Sequence, residues 1–165
     1  MSYKILVIKL GAFGDFVQAM GAFSAIRKYH YDSELVLMTS SYLAEFAACT
    51  PWFDEVWVDE KPKLYNISGI FRLRNRLKKA NLTRIYDLQT SHRSSLYYKS
   101  FWPARAPEWS GISPGCSHFH SNPERNSLHT VDRLEDQLLE AGVMLPPPPD
   151  FSWVNKDISK FKISG

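Results

Sequence analysis

Cysteine is scarce in this chain, which has only two among its 165 residues, Cys49 and Cys116. Neither has a second cysteine or a histidine at zinc-ligand spacing, and two cysteines cannot build the disulfide framework of a small secreted domain. No apolar run approaches the roughly 20 residues that a membrane-spanning helix needs. The apolar stretch at the start is too short for a signal peptide. We therefore expect two free thiols, no metal site and a cytoplasmic protein.

Acidic side chains are nearly absent from the middle of the chain. Residues 60–105 carry 11 basic and 2 acidic side chains, although the net charge of the whole chain is only +3. A basic patch with no acid inside it is formed by Arg72, Arg74, Arg76, Lys78, Lys79 and Arg84. Such a patch is either a solvated helix face or a contact for an anionic surface such as membrane lipid. Aromatic residues interleave poorly with these cations, so nucleic acid is a weaker partner.

The dominant pattern is an alternation of short apolar strands with amphipathic helices. Strands are predicted at residues 4–9, 34–38, 55–58 and 84–88, and near Trp109. Helices are predicted from Asp15 onward and at residues 41–49, 67–80, 94–101 and 129–142. The alternation predicts an α/β fold, a Rossmann-like doubly wound parallel sheet with ligands at the carboxyl ends of its strands.

A run of four prolines, Pro146–Pro149, is stiff and extended, which is typical of the end of a domain. We therefore predict one Rossmann-like domain over residues 1–145. Residues 146–165 are predicted to be a proline-rich linker, because the part after the prolines is too short to fold alone.

The segment Lys9-Leu-Gly-Ala-Phe-Gly-Asp15 joins the first strand to the first helix. It is neither a Walker loop nor a dinucleotide fingerprint, because no Gly-Lys-Ser/Thr follows and G-x-G-x-x-G is absent. A glycine turn that opens a helix still favours an anionic or polyhydroxyl ligand, since free N–H groups face the cleft. Asp15 has two interpretations: it caps the helix, or it is a general base that accepts a proton from a sugar hydroxyl.

Four separated pieces of the sequence carry a family resemblance. They are ILVIKLGAFGDFVQAMGAFSAIRKYHYDSELVLMTS near the start, Pro51-Trp-Phe-Asp-Glu-Val-Trp-Val58, Tyr86-Asp-Leu-Gln-Thr-Ser91 with Arg93, and His129-Thr-Val-Asp-Arg133. Together they resemble glycosyltransferase family 9, the family of the lipopolysaccharide heptosyltransferases. The pieces follow the order expected in that family and cover about residues 3–145.

The resemblance implies the amino-terminal half of a GT-B glycosyltransferase, in which two Rossmann-like domains face each other across a cleft. Such bacterial enzymes transfer a sugar, typically heptose from an ADP-linked donor, to the lipopolysaccharide core. They invert the anomeric centre without a metal or cofactor. The amino-terminal domain binds the acceptor, and Asp15 matches the acidic residue proposed as the general base. The basic patch then fits acceptor phosphates or the anionic inner-membrane surface.

The residues expected to contact substrate are Gly11, Ala12, Phe13, Gly14, Gln89, Ser91, Arg93 and His129. Hydroxyl-rich ligands need several hydrogen-bonding groups, which favours Gln89, Ser91 and Arg93. These three are equally well explained as loop and cap residues after a strand. His129 begins a helix, where it either contacts the acceptor or serves as a capping or packing residue.

The chain departs from the family at its end, because it stops where the second domain should begin. The donor ADP-sugar would be bound mainly by that second domain, present in the same chain or on a split partner. We expect no sugar transfer by this chain alone, which is an excised domain, a truncated reading frame or half of a split enzyme. The alternative function is a stand-alone carbohydrate- or nucleotide-binding module without catalysis.

Overall fold

The computed structural model describes residues 3–62, 66–144 and 151–155. The strands within these ranges are β1 (Lys4–Ile8), β2 (Glu34–Thr39), β3 (Glu55–Val58), β4 (Leu82–Asp87), β5 (Glu108–Gly111) and β6 (His118–Phe119). The helices are α1 (Phe13–Gln18), α2 (Met20–Tyr29), α3 (Ser41–Ala48), α4 (Ile67–Lys79), α5 (His92–Lys99) and α6 (Thr130–Glu140).

The six strands form one sheet in the order β3-β2-β1-β4-β5-β6, and every pair is parallel. The chain builds outward from β1 to β3 on one side and then crosses over to β4 on the other. The order therefore reverses between β1 and β4, where the last residue of β1, Ile8, pairs with Asp87. A crevice forms at such a reversal outside the carboxyl ends of the strands, and this is where ligands bind in doubly wound sheets. The predicted Rossmann-like fold is confirmed.

Helices cover both faces of the sheet, which explains why its central strands are apolar throughout. In β1, Ile5 and Val7 face a core layer shared with α1, α2, α3 and α6. On the other face, Leu6 and Ile8 pack against a layer that includes residues of α4 and α5. All four side chains are at most 2% exposed, so β1 is the buried centre of the molecule.

Most element boundaries lie within two residues of the predicted ones, and the differences below have an identifiable cause. The first helix begins at Phe13, before Asp15, and a turn at Ala19 divides it into α1 and α2. Helix α5 begins at His92, before the predicted start at Ser94, because Ser91 and Ser94 form a capping box. Strand β6 was not predicted, since a two-residue strand leaves no periodic pattern in the sequence.

The predicted linker, 146–165, lies outside the described residues except for 151–155. Within that part, Ser152–Asn155 form a single 3₁₀ turn. The ring of Trp153 packs 5.6 Å from that of Trp52 and 5.9 Å from that of Phe46, centre to centre. This turn therefore lies on the face of the sheet that α3 covers. No helix within the described ranges is long and apolar enough to cross a bilayer.

Candidate functional site at the carboxyl edge of the sheet

The loop between β1 and α1, residues 9–12, lies in the crevice between β1 and β4 and is fixed from both sides. From the β2 side, the Ser40 hydroxyl donates to the carbonyl oxygen of Leu10 at 2.7 Å. The Tyr42 hydroxyl donates to the carbonyl oxygen of Gly11 at 2.6 Å. From the β4 side, the Gln89 side-chain oxygen accepts from the N–H of Leu10 at 2.8 Å. The loop is therefore held in one position before any ligand arrives.

Asp15 lies over this loop and is exposed to solvent. It is the third residue of α1, whose N-cap is Ala12, so the interpretation of Asp15 as the N-cap is wrong. Its carboxylate lies close to Gly11, because a Cβ atom placed on Gly11 would come within 2.8 Å of Asp15 Oδ2. A side chain at position 11 would therefore push the Asp15 carboxylate out of its present position. An acid in the first turn also interacts favourably with the helix dipole.

Lys9 follows β1 directly and brings a buried cation to the same crevice. Its side chain is 4% exposed, and its Nζ donates to the carbonyl oxygen of Leu88 at 3.3 Å. Burial lowers the pKa of Lys9, and the nearby Arg133 guanidinium lowers it further. The carboxylates of Asp15 and Asp87 act in the opposite direction. Lys9 therefore lies within electrostatic reach of two carboxylates and a second cation.

Asp87 ends β4 and is completely buried. Burial raises the pKa of Asp87 to about 6, because the Ser94 hydroxyl and the N–H groups of the loop offset only part of the lost solvation. Its Oδ1 accepts from the N–H of Thr90 at 2.9 Å. This bond supports the turn at Thr90, whose backbone adopts the left-handed region with φ of 43°. Asp87 therefore shapes the loop that carries Gln89.

Helix α6 closes the crevice on its β5 side. The Gln137 amide donates to the carbonyl oxygen of Asp87 at 3.0 Å and to the Ser110 hydroxyl at 3.2 Å. Burial lowers the pKa of Arg125, which also feels the charges of Arg133 and Asp87. Lys9, Arg125 and Arg133 thus surround this edge with positive charge, so an anionic or hydroxyl-rich ligand is favoured there.

The structure separates the other predicted contact residues. Ala12, the last residue of the loop, and Gly14, in the first turn of α1, are exposed, whereas the ring of Phe13 packs 5.1 Å from that of Phe46. Ser91 accepts from the N–H of Ser94 at 3.2 Å and caps α5.

Two other predicted contacts, Arg93 and His129, lie at the beginnings of α5 and α6. Arg93 lines a groove between α4 and α5. His129 is the N-cap of α6, where its Nδ1 accepts from the N–H of Val131 at 3.4 Å. The crevice therefore brings Gln89 together with the glycine loop, while Ser91 and His129 have capping roles.

Lys9, Asp87, Arg125 and Arg133 were not predicted as site residues. The sequence contained one feature that could have identified two of them. Lys9 and Asp87 lie at the carboxyl ends of β1 and β4, and these two strands are neighbours in a doubly wound sheet. No comparable signal marks Arg125, which lies in an irregular segment after β6.

The basic patch divides between the two faces of the sheet. Five of its members lie on α4, but Arg84 lies on β4 and belongs to the opposite face. There the Arg84 guanidinium forms an ion pair with Glu108 and donates to the Tyr86 hydroxyl at 3.0 Å. Arg84 is therefore not part of the surface that α4 presents.

His120, the residue after β6, has structural partners. His120 is 1% exposed and its Nε2 lies 2.9 Å from Asp136 Oδ2. Arg125 donates its Nε–H to His120 Nδ1 at 3.3 Å, which makes Nε2 the protonated nitrogen. In the described ranges, no three histidine, cysteine or carboxylate side chains gather in a way that could hold a metal ion.

Comparison with known proteins gives a match in structure. No protein-family model and no curated protein sequence matches the chain. A glycosyl transferase family 9 structure from Veillonella parvula superposes with a TM-score of 0.71 at 21% identity, covering 86% of this chain and 42% of that one. The E. coli heptosyltransferase WaaC with ADP-2-deoxy-2-fluoro heptose gives 0.68 at 13% identity, covering 95% and 54%.

A third structure, the E. coli ADP-heptose lps heptosyltransferase II, gives a TM-score of 0.62 at 16% identity. It covers 88% of this chain and 44% of that one. The chain thus spans about half the length of these solved chains. It has the Rossmann-like fold of one half of the GT-B glycosyltransferases, the fold seen in the structures of family 9 and of the heptosyltransferases.

Proposed function

We propose that this chain binds the acceptor of a glycosyl transfer and supplies Asp15 as the general base. The donor is an ADP-linked sugar, of the heptose class, and the acceptor is the lipopolysaccharide core. The reaction inverts the anomeric centre and uses neither a metal nor a cofactor. A second domain, in the same chain or on a partner, binds the nucleotide sugar.

The observation that carries this proposal is the position of Asp15. Its exposed carboxylate lies over Gly11, at the reversal of strand order where ligands bind in this architecture. A general base must be reachable by the hydroxyl that it deprotonates. Lys9 and Arg133 lie close to the same point and favour an acceptor that carries phosphate or carboxylate groups.

The proposed step is a single displacement. The acceptor hydroxyl gives its proton to the Asp15 carboxylate while its oxygen bonds to the anomeric carbon of the donor. The bond from that carbon to the phosphate oxygen breaks, and ADP leaves with the electron pair. The bond between Gln89 and the N–H of Leu10 keeps the loop under Asp15 in place during this step.

The test of catalysis is Asp15→Asn in a protein that carries both domains. Loss of the base is expected to lower kcat about 10²- to 10⁴-fold with little change in the acceptor KM. Asp32→Asn removes another exposed carboxylate, in the loop before β2, and this variant should transfer normally. Near-normal transfer by Asp15→Asn would remove Asp15 from the mechanism.

The test of binding uses the 165-residue chain itself, titrated with lipid-free core oligosaccharide and followed by amide NMR. The amides of Leu10, Gly11 and Thr90 should shift first, because they lie around the crevice. Shifts confined to another surface would overturn the assignment of the site. Saccharide binding that never leads to transfer, even with a donor domain present, would instead indicate a binding module without catalysis.

A further inference from the structure

The outer side of α4 and α5 carries apolar side chains that the protein leaves uncovered. We call it the α4–α5 face and define its apolar members by their exposure: Ile67 at 70%, Phe71 at 56%, Leu96 at 36% and Trp102 at 77%. Ile67 and Phe71 are one turn apart on α4 and so project from the same side. Trp102 is next to α4, because its carbonyl oxygen accepts from Arg74 at 2.9 Å.

A groove between the two helices continues this apolar surface inward. Its volume is about 480 Å³, and Ile70, Leu73 and Leu96 are among its lining residues. Arg74, Arg93 and Lys99 also line the groove, so apolar and positively charged side chains lie side by side there. This combination suits an amphiphile with an apolar body and an anionic head.

The charged side chains of α4 and α5 are all cations. Helix α4 carries five cations and no acid, and α5 adds Arg93 and Lys99. Arg72 lies 3.3 Å from Glu60 but remains 64% exposed, so this ion pair leaves its charge open to solvent. On the other face of the sheet, by contrast, α6 carries four acids and one cation, namely Asp132, Glu135, Asp136, Glu140 and Arg133.

We propose that the α4–α5 face docks on an anionic lipid bilayer, with Ile67 and Phe71 inserted at the level of the lipid headgroups. An amphipathic helix binds such a surface through buried apolar area together with attraction between its cations and anionic lipid. A second copy of the chain fits less well, because pairing this face with itself would bring like charges together. The phosphates of a nucleic acid would pair with the cations, but they would offer no apolar surface against which Ile67 and Phe71 could be buried. The proposal does not depend on Asp15 or on sugar transfer.

The experiment is co-sedimentation of the 165-residue chain with two kinds of vesicle: phosphatidylcholine alone, and an equimolar mixture of phosphatidylcholine and phosphatidylglycerol. Binding is expected to the anionic vesicles and to be at least about tenfold weaker to the neutral ones. It should weaken further in high salt, because salt screens the attraction. Replacing both apolar residues, Ile67→Ser with Phe71→Ser, should reduce binding to anionic vesicles by about tenfold or more.

Two variants on the opposite face provide matched controls. Leu139→Ser removes an apolar side chain that is 55% exposed on α6, and Lys28→Gln removes an exposed cation at the end of α2. Both should bind anionic vesicles as the unaltered chain does, whereas Lys79→Gln on α4 should bind more weakly. Circular dichroism of each variant establishes that it is folded.

The proposal is overturned if the chain does not bind anionic vesicles. It is also overturned if the control variants lose as much binding as the variants on α4. Binding that follows charge but is unchanged by Ile67→Ser with Phe71→Ser would also overturn it, since insertion is part of the proposal. These outcomes leave saccharide binding at the crevice untouched, because that binding is measured with lipid-free oligosaccharide.

Discussion

Helices α4 and α6 pack on opposite faces of one sheet, and both turn an apolar side toward it, but their polar sides differ. On α6, Gln137 holds the end of β4, and Asp136 and Glu140 hold the segment that precedes the helix. On α4, the side chain of Lys79 is exposed and forms no hydrogen bond or ion pair with any described residue. Polar side chains on α6 thus stabilise the crevice. Helix α4 instead directs several charged side chains into solvent, where their substitution should change the free energy of unfolding little.

Truncation of the core residue on each helix tests whether the apolar sides are equivalent. Leu138 on α6 is 0% exposed and Leu77 on α4 is 1% exposed. Leu138→Ala and Leu77→Ala should each lower the free energy of unfolding by about 2–5 kcal/mol, because each leaves a cavity in a packed layer. Urea denaturation measures both. A loss under about 1 kcal/mol at either position would show that its layer is loosely packed.

Neutralising the buried carboxyl beneath α6 should stabilise the protein at neutral pH. Burial raises the pKa of Asp87 from 3.8 to about 6 in the folded state, so the folded protein binds this proton more tightly than the unfolded chain does. The stability gained in this way is fully present below the unfolded pKa and is lost as the pH rises through 6. The free energy of unfolding should therefore fall by about 2 kcal/mol between pH 4 and pH 6 through this group, and by about 3 kcal/mol in total once the pH is well above 6.

The variant Asp87→Asn should lack that fall, since an amide does not ionise and its oxygen still accepts from Thr90. Urea denaturation across this pH range compares the two proteins, with Asp32→Asn as an exposed control. Parallel pH profiles for the unaltered chain and Asp87→Asn would contradict the assignment of this titration to Asp87.

Removing a polar group from α6 should cost more than removing one from α4. Asp136→Ala leaves the buried Nε2–H of His120 without its acceptor, so the free energy of unfolding should fall by about 1–3 kcal/mol. Asp132→Ala, on the exposed first turn of the same helix, is the matched control. Equal losses for the two variants would mean that the bond to His120 contributes nothing specific.

The smallest effect on stability is expected on α4. Lys79→Ala should change the free energy of unfolding by less than about 0.5 kcal/mol, because the side chain is exposed and makes no specific contact with described residues. The same variant should nevertheless bind anionic vesicles more weakly. A large loss of stability would contradict the view that α4 keeps this charge for an external partner.

The fold could be predicted because its signals are local. Apolar runs such as 4–9, glycine turns and helical periodicity marked most elements, and the alternation of strands and helices determined the parallel class. The helix starts were predicted less accurately. Helix α5 begins at His92 rather than Ser94, because the capping box uses Ser94 in place of the Glu or Gln that marks this motif in a sequence. Strand β6 was missed because it depends on pairing with β5 rather than on its own sequence.

The site was predicted only in part, because most of it is assembled from distant segments. Asp15 and the glycine loop are adjacent in sequence, so a motif could identify them. Asp87 lies at the site because β4 is the neighbour of β1, and Arg133 lies there because of how α6 packs. Neither arrangement can be recognised from a local sequence motif. Arg84 was grouped with the α4 cations because it is close to them in sequence, but a strand residue follows the face of its strand.

The hydrogen bond between Leu10 and Gln89 also sets the earliest time at which the loop after β1 can be fixed during synthesis. Its two residues are separated by 79 positions, so the loop after β1 is made long before its partner exists. At roughly 5–20 residues per second, translation needs about 4–16 s to cover that interval. Throughout it, Lys9 lacks the Leu88 carbonyl that it bonds in the finished protein. The first residues of the crevice to be synthesised thus remain without these partners until more than half of the 165-residue chain has been made.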